Sequence, residues 1–227
     1  MTKWLASVQS VEEAQTLAST LPDILDMKKP SQGALGALPT EIVGNIVDLV
    51  NGECQTSATI GDLAMDAAVI GPAILAMAET GVDYVKIGIF PEESLRECLN
   101  EIAPAIKALK TPVIAVLFAD KPVEPNIHKR LSESGFKGIM VDTAVKNGKH
   151  LLDHMSLVEL SQFVSAAKQQ NLLCGLAGAL RQEDISVLSA LGPDYLGFRS
   201  ALCEQRQRNN GLDLQRIKEV KASVDMT

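Results

Sequence analysis

The chain has 227 residues, of which 46% are hydrophobic and 22% are charged. A chain of this size and composition can bury a large core, which indicates a compact globular protein. The 21 Lys and Arg residues against 28 Asp and Glu residues give a net charge of −7, which argues against nucleic-acid binding as the main function. No apolar stretch approaches the ~20 residues that cross a bilayer, and no targeting peptide is recognisable. We therefore expect a cytoplasmic protein that is not bound to a membrane.

The four cysteines, Cys54, Cys98, Cys174 and Cys203, form no CxxC pair. In a cytosolic protein this pattern predicts free thiols with a structural role. The three histidines do not have the spacing of metal ligands. Neither a metal ion nor a cofactor is expected.

Eight short apolar runs alternate with helical patterns along the chain. The predicted strands cover residues 4–8, 24–30, 56–60, 84–89, 112–118, 138–143, 173–177 and 195–198. The predicted helices cover residues 10–19, 40–50, 67–80, 91–109, 126–134, 156–170, 183–191 and 212–223. Ser10 and Ser156 each stand three residues before a glutamate, which is the spacing of a capping box that opens a helix.

This alternation predicts the fold class. Strands that alternate with helices pair in parallel, and eight such units favour an α/β protein with a closed (β/α)8 TIM barrel. A doubly wound open sheet is the alternative, but eight regular units fit it less well. Because no linker, low-complexity run or shift in composition divides the chain, residues 1–227 are predicted to form a single TIM-barrel domain.

Charged residues stand at the ends of several predicted strands, opposite an apolar face. Side chains two residues apart share one face of a strand, so Asp26 and Lys28 point the same way. Lys86 in the fourth strand and Asp142 in the sixth are placed in the same manner, and Arg199 follows the eighth. Active sites of TIM barrels lie at the carboxyl ends of the strands. We therefore expect these five side chains to meet at one mouth of the barrel.

Two lysines in one concave site have a chemical use. A neighbouring cation disfavours protonation of an amine, which leaves free nucleophile near neutral pH. Such an amine attacks an aldehyde or ketone to form an iminium, which acidifies the adjacent carbon. Asp26 and Asp142 are the carboxylates available to move that proton. The pattern therefore indicates chemistry of the class I aldolase type.

An anionic substrate is indicated by the residues after the last two strands. Gly178 follows the seventh strand and Arg199-Ser200 follows the eighth, the positions where TIM barrels commonly bind phosphate. A glycine lets backbone N–H groups approach an anion, and an arginine can bind it with two hydrogen bonds. The glycine-rich loop 31–36 is a weaker candidate for substrate contact, and the basic segment 206–210 is interpreted as a solvated loop.

Several segments together resemble one known enzyme family. They cover residues 26–30, 33–36, 83–88, 142–149, 176–178 and 208–211. The similarity runs nearly from end to end, and segment 142–149, which reads DTAVKNGK, is distinctive. On these segments the chain resembles the (5-formylfuran-3-yl)methyl phosphate synthases. It departs from the family pattern after the eighth strand, where it reads RSALC and the family often has RGAAC.

The resemblance implies a TIM barrel that condenses two molecules of glyceraldehyde 3-phosphate through a lysine Schiff base. The product would be the phosphorylated furan precursor of methanofuran-type cofactors, formed with release of phosphate and water. By motif, Lys28 matches the Schiff-base lysine of the family and Lys86 matches the lysine that accepts a proton. Asp26, Asp142 and Lys146 match further polar residues of the pocket.

Two other functions stay open on the residues alone. One is a conventional class I aldolase that acts on another sugar phosphate and releases an intact aldol. The other is a non-catalytic barrel that binds a phosphorylated metabolite for regulation, although the paired lysines count against it. The sequence also leaves open whether the chain forms a homo-oligomer and which triose phosphate isomer reaches Lys28 first.

Overall fold

A computed structural model describes residues 2–145 and 147–227. Within them lie eight strands, β1 Lys3–Val8, β2 Ile24–Met27, β3 Gln55–Thr59, β4 Tyr84–Gly88, β5 Val113–Phe118, β6 Gly138–Asp142, β7 Leu173–Leu176 and β8 Tyr195–Phe198. The α-helices are α1 Val11–Leu17, α2 Thr40–Val50, α3 Ala67–Ala78, α4 Leu95–Ala108, α5 Ile127–Glu133, α6 Leu157–Gln169, α7 Ile185–Ser189 and α8 Leu214–Asp225. All strand pairs are parallel and follow the chain order, and β1 closes on β8. The predicted TIM barrel is confirmed.

The helix boundaries differ from the prediction where a cap or a turn decides them. Helix α8 begins after Asp213, because the carboxylate of Asp213 accepts hydrogen bonds from the first turn. Helix α7 is short because residues Gln182–Asp184 form a separate 3₁₀ turn before it. Ser156 and Glu159 form the predicted capping box of α6. Ser10 caps α1 by accepting a hydrogen bond from the N–H of Glu13. The reciprocal bond of a capping box is missing, because the Glu13 carboxylate accepts from the N–H of Gln9 instead.

Alternation along each strand separates two cores. The outward side chains, such as Leu25, Val85 and Leu196, pack under the helices in one continuous hydrophobic cluster. The inward side chains, such as Leu5 and Val116, fill the barrel interior in a second cluster. Because the sheet is buried on both faces, apolar residues cannot mark the site, and the inward polar residues stand out instead. That the whole chain is one domain stays a prediction, supported by the continuity of the outer cluster.

Aspartates at the amino ends of the strands fix neighbouring strands to each other. The backbone N–H of Trp4 in β1 donates to the Asp23 carboxylate at 2.9 Å, just before β2. The N–H of Thr56 donates to Asp83 at 2.7 Å in the same way, just before β4. Each such carboxylate satisfies a strand-end donor that has no strand partner, so this end of the barrel serves stability.

Across residues 2–145 and 147–227, no helix combines the length and the apolar character that a membrane span needs.

Candidate active site

The carboxyl ends of the strands surround a cavity of about 540 Å³. Every predicted site residue that the structure describes lines it, namely Asp26, Lys28, Lys86, Asp142, Gly178, Arg199 and Ser200. Lys146, the remaining predicted residue, lies outside the described residues. The inward positions of even-numbered strands thus bring the predicted charges to one mouth, because alternate residues of each strand face the axis.

Asp26 and Lys86 form a buried ion pair at the floor of the cavity. The Nζ atom of Lys86 lies 2.8 Å from Oδ1 of Asp26, and the two side chains are 2% and 0% exposed. Two serines complete the site, because Ser57 donates to Oδ1 at 2.6 Å and Ser7 donates to Oδ2 at 2.9 Å. These serines did not stand out in the sequence. Their only signal was an inward polar position on a neighbouring strand.

The environment keeps Asp26 ionised. Burial by itself would raise the pKa of the Asp26 carboxyl, but the positive charges of Lys86 and Lys28 and the hydrogen bonds from Lys86 and Ser57 hold it below its ordinary value. A carboxylate with a lowered pKa is a weak base but a strong electrostatic partner. The arrangement therefore suits Asp26 to holding a lysine in place.

Lys28 lies nearer the mouth of the cavity than Lys86. Its Nζ atom is 3.7 Å from Oδ2 of Asp142, and the two side chains are 9% and 5% exposed. Asp142 also accepts a hydrogen bond of 2.7 Å from the backbone N–H of Thr143, which fixes the carboxylate at the end of β6. The site therefore holds two lysines, each beside its own carboxylate, at two depths of the cavity.

The loop after β7 supplies backbone donors. Gly178 has a φ of 110°, and a Cβ atom there would lie 3.1 Å from the Thr143 side chain, so a larger residue would be strained. Ala179, which follows, also has a positive φ of 51°. Among the described residues, the N–H groups of Gly178, Ala179 and Ser200 donate no hydrogen bond. Such N–H groups at the mouth of a barrel can bind an anion.

Arg199 was predicted to bind phosphate, but its guanidinium is occupied by the protein. Both oxygens of the Glu13 carboxylate accept hydrogen bonds from it. The carbonyl oxygens of Ser7, Arg208 and Asn210 accept the others, at 3.1, 2.8 and 3.1 Å. An arginine side chain has five N–H donors, and all five are used here. These contacts favour a structural role for the side chain.

Arg208 is a candidate that the sequence interpretation missed. Segment 206–210 is exposed at Arg206 and Asn209, as expected for a solvated loop, but Arg208 is half-buried and lines the cavity. Its guanidinium donates to the carbonyl of Gly33 at 2.9 Å. Burial lowers the pKa of Arg208, and the negative charge of Asp142 acts in the opposite direction. The sequence carried two signals for it, its position after the last strand and its place in segment 208–211, which belongs to the family resemblance.

The loop after β2 is held in place by Asp62. The carboxylate accepts hydrogen bonds from the N–H groups of Ala34 and Leu35, at 2.7 and 3.0 Å. Gly33 has a φ of 105°, and a Cβ atom on it would lie 2.0 Å from the Asp62 carboxylate. The glycine is therefore required for this contact, and the carbonyl of Gly33 stays available to Arg208.

A second cavity, of about 440 Å³, opens at the amino ends of the strands. Lys86 and Leu5 line it as well as the first cavity, so Lys86 lies between the two. The rim of this second cavity is polar, because the side chain of Gln55 donates a hydrogen bond of 2.9 Å to the Tyr84 hydroxyl.

The cysteines fit their predicted structural role. All four are free, and burial raises the pKa of Cys174 to about 12 and that of Cys98 and Cys203 to about 11. Since the thiolate is the nucleophile, thiols with such values are inert near neutral pH. In the described part of the chain, no three His, Cys, Asp or Glu side chains are grouped closely enough to hold a metal ion.

Solved structures agree with the fold. Phosphoribosyl anthranilate isomerase from Thermotoga maritima superposes with a TM-score of 0.70 over all of both chains, at 14% identity. 3-Hexulose-6-phosphate synthase superposes with a TM-score of 0.63 over 98% of this chain and 100% of that one, at 16% identity. At these identities the likeness extends to the barrel only.

Sequence comparisons go further. The (5-formylfuran-3-yl)methyl phosphate synthase of Methanopyrus kandleri is 34% identical over 91% of this chain and 92% of its own. The enzyme of the same name from Methanocaldococcus jannaschii is 33% identical over 96% and 97%. A protein from Methylorubrum extorquens that carries this name provisionally is 41% identical over 95% and 88%. The family model of 4-HFC-P synthase matches residues 4–221. With its closed barrel and near-complete coverage, this chain belongs to the 4-HFC-P synthase family.

Proposed function

We propose that this protein condenses two molecules of glyceraldehyde 3-phosphate to (5-formylfuran-3-yl)methyl phosphate, in the synthesis of a methanofuran-type cofactor. Two triose phosphates carry two phosphates and the product carries one, so one phosphate leaves together with water. The observation that carries the proposal is the pair of lysines in one cavity, each beside its own carboxylate. Family membership supports the product, and the cavity supports the chemistry.

In this proposal Lys28 is the nucleophile. Its Nζ atom attacks the carbonyl carbon of a triose phosphate, and loss of water from the adduct gives an iminium. Lys28 is the more exposed of the two lysines, with 7% of the residue accessible against 2% for Lys86. An incoming carbonyl therefore meets Lys28 before Lys86. Asp142, at 3.7 Å, can stabilise the positive charge of the iminium.

Lys86 and Asp26 act next in the proposed sequence. Lys86 gives its proton to the hydroxyl that leaves the Lys28 adduct as water. The iminium acidifies the adjacent C–H bond, and the neutral amine of Lys86 then accepts that proton. Asp26 holds Lys86 by charge, and its carboxylate stays ionised because its pKa is lowered. Asp142 and Lys146 are proposed as further catalytic residues, on the match of the segment that carries them to the family.

The phosphate is proposed to bind at the other side of the mouth. Support comes from the backbone N–H groups at Gly178, Ala179 and Ser200, which have no partner within the described residues. Arg208 supplies one of the positive charges that line the cavity. The expectation that Arg199 itself binds the phosphate stays a prediction. The five N–H donors of Arg199 are all occupied by protein acceptors, which counts against this expectation.

Incubation of the purified protein with glyceraldehyde 3-phosphate tests the proposal. We expect stoichiometric release of inorganic phosphate and the ultraviolet absorbance of a conjugated furan aldehyde. An intact sugar phosphate without phosphate release would instead indicate a conventional class I aldolase. Binding of the triose phosphate without any turnover would indicate a regulatory barrel.

Replacement of Arg208 tests the phosphate site. Arg208→Met should raise the KM for glyceraldehyde 3-phosphate about tenfold or more, because loss of a hydrogen bond between charged groups costs about 1.5–3 kcal/mol. Steady-state kinetics by phosphate release measures the effect. Arg216→Met, which removes a half-buried arginine of α8 outside the cavity, is the matched control and should leave the KM unchanged. An unchanged KM in Arg208→Met would move the phosphate away from this loop.

A further inference from the structure

The segment after β8 carries Arg208 but has little regular structure of its own. It contains two short 3₁₀ turns, Ser200–Leu202 and Glu204–Arg206, and an antiparallel bridge joins Cys203 to Leu212. Residues 206–209 line the cavity, and the guanidinium of Arg208 donates to the carbonyl of Gly33 on the loop after β2. The antiparallel bridge holds the two ends of the segment together, and contacts from outside the bridged stretch support residues 208–210 between them.

The buried pair of Arg199 and Glu13 provides that support. Arg199 binds the carbonyl oxygens of Arg208 and Asn210, one on each side of Asn209. Hydrogen bonds to two carbonyls that flank one residue fix both the position and the direction of the backbone between them. The side chain of Arg208 is then aimed at the cavity.

Glu13 in turn fixes Arg199. Its two oxygens accept from both terminal nitrogens of the guanidinium, and they also accept from the backbone and side-chain nitrogens of Gln9, both at 3.0 Å. The paired side chains are 5% and 10% exposed. A two-pronged pair of this kind holds one orientation, because the planar fork of arginine matches a carboxylate.

We propose that Glu13 and Arg199 are positioning residues, which hold segment 206–211 so that the Arg208 guanidinium faces the phosphate of the substrate. The inference rests on the proposed function, since it needs a phosphorylated substrate in this cavity. It assigns a task to Glu13, which does not line the cavity, and gives Arg199 an indirect task instead of a direct contact with phosphate.

The test uses Glu13→Gln/Arg199→Met, which removes both buried charges together. Loss of one member alone leaves an uncompensated buried charge and can unfold the protein, whereas replacement of both is often tolerated. Hydrogen–deuterium exchange of the peptide that covers 206–211 should become faster in the variant. The KM for glyceraldehyde 3-phosphate should rise about tenfold, with the change falling in KM rather than in kcat. Lys221→Met/Asp225→Asn, which neutralises an exposed pair of α8, is the matched control.

A second comparison separates positioning from direct contact. Once the pair is gone, adding Arg208→Met should raise the KM little further, because Arg208 is then already misplaced. Full additivity of the two changes would overturn the inference and support direct contact between Arg199 and phosphate. Unchanged exchange in 206–211, or an unchanged KM, would also overturn it. A wild-type protein that does not turn over glyceraldehyde 3-phosphate would instead overturn the proposed function, and the inference with it.

Discussion

Lys28→Ala is expected to abolish turnover and to abolish covalent trapping of the substrate. The proposed iminium forms on the Nζ atom of Lys28, and borohydride reduces an iminium to a stable secondary amine. Treatment of the wild-type protein with triose phosphate and borohydride should therefore inactivate it, with a mass increase of one reduced substrate. Peptide mapping by mass spectrometry should find that mass on Lys28 alone.

Two variants serve as comparisons. Lys29→Ala removes the neighbouring lysine, which does not line the cavity, and should trap normally. Lys86→Met should still trap some substrate on Lys28 but should turn over much more slowly, because the proposed proton acceptor is gone. An adduct on Lys86 would mean that Lys86 is the nucleophile and Lys28 the proton acceptor. No adduct on either lysine would exclude the Schiff-base mechanism.

Asp26→Asn is expected to reduce both stability and activity strongly. The amide keeps the shape of the side chain but leaves Lys86 buried without a counter-charge, which costs on the order of 3–5 kcal/mol. Turnover should fall by roughly 10²–10⁴, the range associated with the loss of an acid or base function, because Lys86, the proposed proton acceptor, loses the carboxylate that holds it. Urea unfolding at neutral pH measures the free energy of unfolding, and phosphate release measures kcat.

The pH dependence of stability has a definite sign. Because the pKa of Asp26 is lower in the folded protein than in the unfolded chain, its pair with Lys86 stabilises the fold at pH values above about 4, the ordinary value of an aspartate. This contribution is lost as the pH falls through the folded pKa. Unfolding of the wild-type protein should therefore become easier below about pH 4, and this part of the dependence should be absent in Asp26→Asn.

The double variant Asp26→Asn/Lys86→Met separates stability from catalysis. It removes both charges and should recover most of the lost free energy of unfolding, since a neutral pair is tolerated where a lone charge is not. Its turnover should stay low, because the proposed proton acceptor is missing. Asp225→Asn, at an exposed pair of α8, should change stability by less than about 1 kcal/mol. Stability in Asp26→Asn equal to wild type would mean that the pair is not needed for the fold.

The sequence alone determined the barrel and the set of charges at its mouth. Alternation of apolar runs with helical patterns is a local property, and eight repeats of it leave few ways to close a sheet. The same alternation within strands placed Asp26, Lys28 and Lys86 on the inner face, because side-chain direction in a strand follows from position. Helix caps such as Ser156 could also be predicted from the sequence, since their hydrogen-bond partners lie within one helical turn.

Only the tertiary structure decided which charges are partners. The sequence predicts Glu13 to be a capping residue of α1. In the structure its carboxylate binds Arg199, which is 186 residues away in the chain. Ser57 holds Asp26, and Arg208 faces the cavity from a segment whose composition is typical of a solvated loop. Such pairings depend on closure of the barrel, which brings distant strand ends together at distances that sequence spacing does not encode. Local patterns therefore predict the face on which a residue lies, while the closed sheet determines what that residue contacts.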